Sequence, residues 1–390
     1  GTDLAYATST DRNAFAVYTQ GVWDIKDRYS VTAGVRYSND DLDGEENLAR
    51  YSEDHSVLAS VQPAAITLGQ YNVIRGALDP VTLAPTGGPP VYTTGVPFSS
   101  SMFRRLSRSD DQLTYHLRLD YAVKKHHSIY GSVSTGHRPG GFNLGFFNET
   151  DEYGPEEQIT VELGWRGRFR DDTLEITALT FYSQYNDIQT VASEVTASGE
   201  TREAVLRAPK AWMLGWESEA VSRPTERITL GYSMSFAQGE FSESEFLLND
   251  ADPRAPPSLF TPQERRQNID SHTMPLAPTH QGWLFISYRW PLARAGTLDV
   301  LGMGGWVDDV YFSPFQAPED RAAGYSRIRV RLTWTSPNEN WVVTGFASNF
   351  RNRQGISQLS RYGETAGFRR TAQLTEPRTW GLEATYRYAK

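Results

Sequence analysis

The sequence predicts an all-β chain, a transmembrane antiparallel β-barrel, on three observations. Apolar and polar residues alternate with period two along almost the whole length; the alternating segments are long; and short connections alternate with long ones.

The alternation is cleanest at Ser326–Thr335, where Ile328, Val330, Leu332 and Trp334 oppose Arg327, Arg329, Arg331 and Thr333. At 112–123, Leu113, Tyr115, Leu117, Leu119 and Tyr121 oppose Gln112, Thr114, His116, Arg118 and Asp120. At 158–169, Ile159, Val161, Leu163 and Trp165 oppose Gln158, Thr160, Glu162 and Arg166. The segment 377–388 repeats the pattern. Segments 172–186 and 297–308 alternate less cleanly, so their faces are harder to assign. The whole reads as about thirteen strands, at 14–24, 28–38, 110–123, 127–135, 156–169, 172–186, 209–222, 226–238, 279–290, 297–308, 324–335, 340–349 and 377–388.

Most of these exceed the usual five or six residues of a soluble strand and suit the roughly 9–11 residues of a tilted membrane-crossing one. Short links at 24–27, 124–126, 170–171, 223–225, 291–296 and 336–339 alternate with long ones at 39–109, 136–155, 187–208, 239–278, 309–323 and 350–376. Outer-membrane barrels have this asymmetry, with short periplasmic turns and long extracellular loops. The polar face then lines the lumen and the apolar face meets lipid. Trp23, Trp165, Trp290, Trp334, Trp341 and Tyr388 fall near the periplasmic strand ends, as an aromatic girdle requires.

Composition agrees. A hydrophobic content of 39% and mean hydropathy of -0.51 are too low for membrane helices, which need about 20 apolar residues in a row. The longest uncharged run, Ser56–Ile74, contains Gln62, Pro63, Gln70 and Asn72. Alternating barrel strands average to such values, and 20 Tyr, 18 Phe and 10 Trp supply interfacial aromatics. The absence of cysteine excludes disulfides and thiol chemistry. A net charge of -9 argues against nucleic-acid binding.

With the strands placed, their sequences resemble the barrel of TonB-dependent receptors of the iron-complex type. Ala14–Tyr18 followed by Val31–Tyr37 is similar to a mid-barrel hairpin of the family. The segment Tyr130–Asn143, with Gly136, His137, Arg138, Pro139, Gly140 and Gly141, resembles its S-x-G-F-R-P-G-G-x-N motif, with His137 in place of Phe. Pro155-Glu156 with Glu162-Leu163-Gly164, Tyr185–Gln189, Leu276–His280, Asn349–Asn352 and Pro377–Leu382 resemble further landmarks in order. Ala389 and Lys390 follow Tyr388 where the family usually ends on an aromatic residue.

The resemblance implies the C-terminal portion of a barrel of about 22 strands, with the plug domain, the TonB box and the first strands absent from 1–390. It also implies energy-coupled import of a scarce nutrient, most simply a ferric siderophore or other iron complex. The implied partners are TonB, through the missing N-terminal part, that bulky ligand and the lipid and lipopolysaccharide of the bacterial outer membrane, around a monomer. A passive porin and a soluble or cell-surface carbohydrate-binding β-protein are the rival readings.

No catalytic constellation is present: there is no H-E-x-x-H, P-loop or G-x-S-x-G, so the chain is read as no enzyme and assigned no cofactor or metal. Asn39, Asp41, Asp43 and Gly44 imitate half a calcium loop, but Arg50 stands where its bidentate Glu belongs. His126 and His127 sit in a short turn as a solvated pair. Ligand contacts are expected from the outer loops: His137, Arg138, Asn143, Phe146 and Phe147; Tyr311, Phe312 and Phe315; and Arg351, Arg353 and Tyr362. Guanidinium and aromatic groups suit an anionic, partly aromatic chelate. Arg118, Glu162, Arg166, Arg327, Arg329 and Arg331 are expected to face the lumen and contact a plug.

Overall fold

A computed structural model describes residues 2–52, 72–77, 98–145, 148, 150–195, 201–243 and 246–388. Thirteen strands pair in chain order in one antiparallel sheet. They are β1 (Thr2–Ile25), β2 (Tyr29–Ser52), β3 (Phe98–Lys124), β4 (His127–Arg138), β5 (Glu156–Phe169), β6 (Leu174–Val195) and β7 (Thr201–Thr225). After them come β8 (Ile228–Ser242), β9 (His280–Pro291), β10 (Thr297–Val307), β11 (Tyr325–Thr335), β12 (Trp341–Ser348) and β13 (Thr379–Tyr386). Among the described residues there is no α-helix, and so none long and apolar enough to cross a membrane.

The order predicted by alternation is the order observed, but several strands run further than alternation indicates. β2 continues to Ser52 and β3 starts at Phe98, so both ends of the expected loop 39–109, residues 39–52 and 98–109, are ladder; residues 53–71 and 78–97 of it lie outside the described residues. β6 and β7 pair from Leu174↔Ser222 up to Val195↔Thr201, which removes most of the expected loop 187–208. A 24-residue strand at about 3.3 Å per residue greatly exceeds what a bilayer needs. Along the excess, cross-strand charge sets the register: exposed Glu45 opposes Arg105 at 2.6 Å, and enclosed Glu46 opposes Arg104 at 2.5 Å. Asn39–Gly44 therefore lies in extended strand, not in a coiled ion-binding loop.

Register also assigns the faces, since residues directly opposite in a ladder share one. Arg166, Thr177, Glu219, Ser233, Trp283, Gly305 and Arg327 are successive partners across seven strands. Arg118, Ser132 and Glu162 form a parallel row. All six charged residues expected in the lumen thus occupy the same face. The two ambiguous segments are resolved as well: Leu179 and Phe181 of β6, and Leu301 and Met303 of β10, lie on this polar face. The opposite face leaves Phe15, Leu113, Leu117, Leu163, Leu214, Leu284 and Leu332 exposed, an apolar band that belongs against lipid.

On the polar face, aromatic rings lie across glycines of the neighbouring strand. Tyr130 pairs with Gly164, Phe181 with Gly215, Phe285 with Gly231 and Phe346 with Gly381. A Cβ on Gly215 or Gly381 would come within 2.6 or 2.7 Å of the ring, and at Gly164 it would overlap Tyr130. The rings lie flat against the wall only because these positions lack side chains. β1 and β13 stand at the two ends of the order, and no described pairing joins them. Unpaired backbone groups are not tolerated in lipid, so insertion requires both edges to be covered.

Gly164→Val should destabilise the folded wall by about 1–3 kcal/mol through overpacking against Tyr130. Gly304→Val, whose Cβ meets nothing within 4 Å, provides the control. Unfolding temperatures of the folded, heat-modifiable band measure both; equal temperatures for the two variants would remove the ring-on-glycine constraint.

Candidate functional site

The outer ends of the strands are covered by loops that pack as a small core. Ile188 and Ala192 of β6, Ala211 of β7 and Phe241 of β8 are buried against Leu247 and Ile269 of the 243–279 connection and Phe315 of the 308–324 connection. Directed hydrogen bonds fix this packing. His272 Nδ1 meets the Pro314 carbonyl at 2.7 Å, and the Leu276 amide donates to the Tyr311 carbonyl at 2.9 Å.

An ionic hub joins three connections. The Asp320 carboxylate is fully buried between Arg361 Nε at 3.1 Å and Arg370 Nε at 3.0 Å. Arg361 also donates to Ser313 Oγ at 2.8 Å and to Asn249 Oδ1, and its guanidinium lies 5.3 Å from the centre of the Phe315 ring. A second buried pair ties β2 and β3 to the connection between β4 and β5. Arg104 and Glu46 are both fully enclosed, Tyr6 donates to Glu46, and Arg104 donates to the Asn148 and Asn143 carbonyls at 3.0 and 3.2 Å.

Between the three connections and the top of β6 is a cavity of about 740 Å³, within the range of small-molecule sites. Its functional lining is Asn249, Asp250, Phe312, Phe315, Arg361 and Tyr362. The chemistry is one cation, Arg361, already paired with Asp320, and one carboxylate, Asp250, paired with Arg265, beside aromatic faces and amide or hydroxyl groups. It suits a partly aromatic ligand held mainly by stacking.

Three of the eleven residues expected to contact ligand, Phe312, Phe315 and Tyr362, meet here. Tyr311 is adjacent but pairs with Arg321 in a two-residue ladder. Asn143 is buried and spends its amide on the Thr150 carbonyl and on both backbone groups of Val205. It ties a loop to the wall and has no amide atom left for a solute. His137 and Arg138 end β4, while Arg351 and Arg353 are exposed in the turn after β12; none of the four lines the cavity. Phe146 and Phe147 lie outside the described residues. Arg361, Asp320, Arg370 and Asn249 carry no local sequence signal, because their partners are distant in the chain.

A family model described as TonB dependent receptor-like, beta-barrel matches residues 1–350. The chain belongs to that family. Its members are receptor transporters of the bacterial outer membrane and not enzymes. No curated protein matches the sequence. Among solved structures, the ferric yersiniabactin uptake receptor FyuA from Yersinia pestis is 18% identical with a TM-score of 0.69, covering 99% of this chain and 47% of that one. The ferric-catecholate import receptor Fiu from E. coli K12 is 14% identical with a TM-score of 0.61, covering 98% and 45%. The siderophore receptor PiuA from Acinetobacter baumannii is 13% identical with a TM-score of 0.56, covering 97% and 65%. At these identities the likeness is one of fold, and the chain spans about half the length of the first two.

Two outcomes are expected of the loop network. Asp320→Asn strands two part-buried guanidinium groups, a loss on the order of 3–5 kcal/mol for a broken buried pair. It should raise hydrogen exchange in 308–324 and 349–378 while the wall strands stay protected; unchanged loop exchange would show that the hub holds nothing. Acid should act on the 243–279 connection through Asp252, whose pKa is lowered by hydrogen bonds from Arg254 and the attraction of its charge, against a burial that works to raise it. A carboxyl depressed on folding adds stability above its unfolded pKa of about 3.9 and loses it as pH falls through the folded value. The chain has no cysteine, so Leu259→Cys offers a unique spin-label site on this connection. Label mobility should rise below about pH 4; a flat profile from pH 6 to pH 2 would exclude the ion pair as a loop anchor.

Proposed function

We propose that the chain forms the wall and outer vestibule of a receptor that imports a bulky, scarce iron complex, a ferric siderophore, by TonB-coupled transport. The observation that carries this reading is the 740 Å³ cavity, in which Arg361 lies beside Phe312, Phe315 and Tyr362. A ferric siderophore presents negative charge and flat unsaturated groups to such a lining. Capture happens at the outer loops, and passage inward runs along the polar face. There Arg118, Glu162, Arg166, Arg327, Arg329 and Arg331 meet a plug contributed, with the TonB contact, by sequence outside residues 1–390. The receptor acts as a monomer in the lipopolysaccharide-bearing outer membrane.

Phe312→Ala with Tyr362→Ala removes two aromatic faces and leaves the Asp320 pairs intact. Binding of the cognate iron complex to cells should weaken at least about tenfold, as for central contact residues elsewhere. Uptake of iron-55 complexes in iron-starved cells gives the wider check. Unaltered uptake of every ferric complex after gene deletion would remove the iron assignment. Loss on deletion with full binding by the double variant would instead move the site. A large open-channel conductance of the receptor in planar bilayers would favour a passive porin.

A further inference from the structure

The end of the wall opposite the loops carries a second cavity, of about 380 Å³, at the short turn between β3 and β4. Lys124, Lys125, His126, His127, Arg166 and Arg168 line it. Arg166 is bound by Glu175, while Arg168 and His126 share Asp172 at 3.6 and 3.5 Å. Lys124 and Lys125 are exposed and contact no carboxylate among the described residues. Four permanent cations therefore face two carboxylates, leaving two positive charges free at one concave spot.

The depth of this spot is marked by its neighbours. Arg166 belongs to the polar face and His127 to the apolar one, so the cavity caps the strand ends between the two. The His127 ring meets Phe169 edge-on at 4.7 Å and stacks 6.1 Å from Trp165, with Ile129 next along the same face. Such aromatic clusters settle at headgroup level. His127 thus belongs both to the interfacial belt and to the cationic cavity. A free phosphate would use only the cations, and an acidic peptide in solution has no use for rings facing lipid. A phospholipid uses both, placing its glycerol region on the rings and its phosphate at the lysines.

We infer that the β3–β4 turn binds the headgroup of an anionic phospholipid in the periplasmic leaflet, through Lys124 and Lys125. The site fixes the depth of the wall at this hairpin, and it does not depend on which solute the receptor carries.

The test uses the receptor extracted from its membrane in mild detergent, stripped of lipid and titrated with phosphatidylglycerol or phosphatidylethanolamine of identical chains under native mass spectrometry. Phosphatidylglycerol should bind in preference. Lys124→Gln with Lys125→Gln should weaken it roughly thirtyfold, from the usual contribution of two lysines at an anionic surface. Arg223→Gln with Arg227→Gln, exposed at another short turn, should leave it unchanged. The heat-modifiable band verifies that each variant is folded. Equal binding of the two lipids, a preference that survives the lysine changes, or an equal loss in the arginine control would each overturn the assignment. Full displacement by millimolar inorganic phosphate would make it a site for free anions instead.

Discussion

The structure depends on one constraint: at membrane depth every backbone N–H and C=O must be satisfied within the sheet. No solvent is there to take an unpaired group, so neighbouring strands pair without interruption from β1 to β13. Once the ladders are continuous, side-chain direction is fixed by period two, and one face becomes lipid-facing for the whole wall. The glycines under Tyr130, Phe181, Phe285 and Phe346 follow from the same condition. A continuous ladder accepts a bulky ring on its inner face most readily where the adjacent strand offers bare backbone.

Above the membrane the constraint relaxes and a different interaction takes over. The ladders continue there, but contact with lipid no longer orients the faces, so regularity must come from side chains. Charge supplies it, first as cross-strand pairs such as Glu45 with Arg105, then as the enclosed pairs of Arg104 with Glu46 and Asp320 with two arginines. Enclosed pairs are costly to desolvate, and one partner without the other is worse. They therefore hold the loops in one arrangement more than they add to net stability.

The division between these two regimes explains what was legible in the sequence. β11 could be read outright, because Ile328, Val330, Leu332 and Trp334 must avoid water while Arg327, Arg329 and Arg331 must avoid lipid. The stretch from Asn39 to Ser52 reads as a loop because both of its faces are polar, though it is extended throughout. β6 and β10 place Leu179, Phe181, Leu301 and Met303 on the inner face, so hydropathy alone does not orient them and only the partner strands do. In the cavity, residue type pointed to Phe312, Phe315 and Tyr362. Arg361 was invisible because it meets Asn249 across 112 residues of chain. Asn143, also expected among the ligand contacts of the outer loops, is bonded instead through both amide atoms to backbone groups distant in the chain or across its own loop.

If the cavity binds the proposed iron complex, the hub also bears on how it would discriminate. Arg361 reaches the cavity already facing Asp320, so an approaching anion meets a dipole-like pair and not a bare cation. Long-range attraction would be correspondingly small, and recognition would fall to contact terms, the Phe312 and Tyr362 faces and the fit of the ligand to the walls, because the Asn249 amide is buried and engaged by Arg361 and Gln267. A small inorganic anion can exploit none of these. On the proposed reading, a bulky chelate carrying flat groups would exploit them. The same ion pair that keeps three loops together would then shift selectivity from charge toward size and shape.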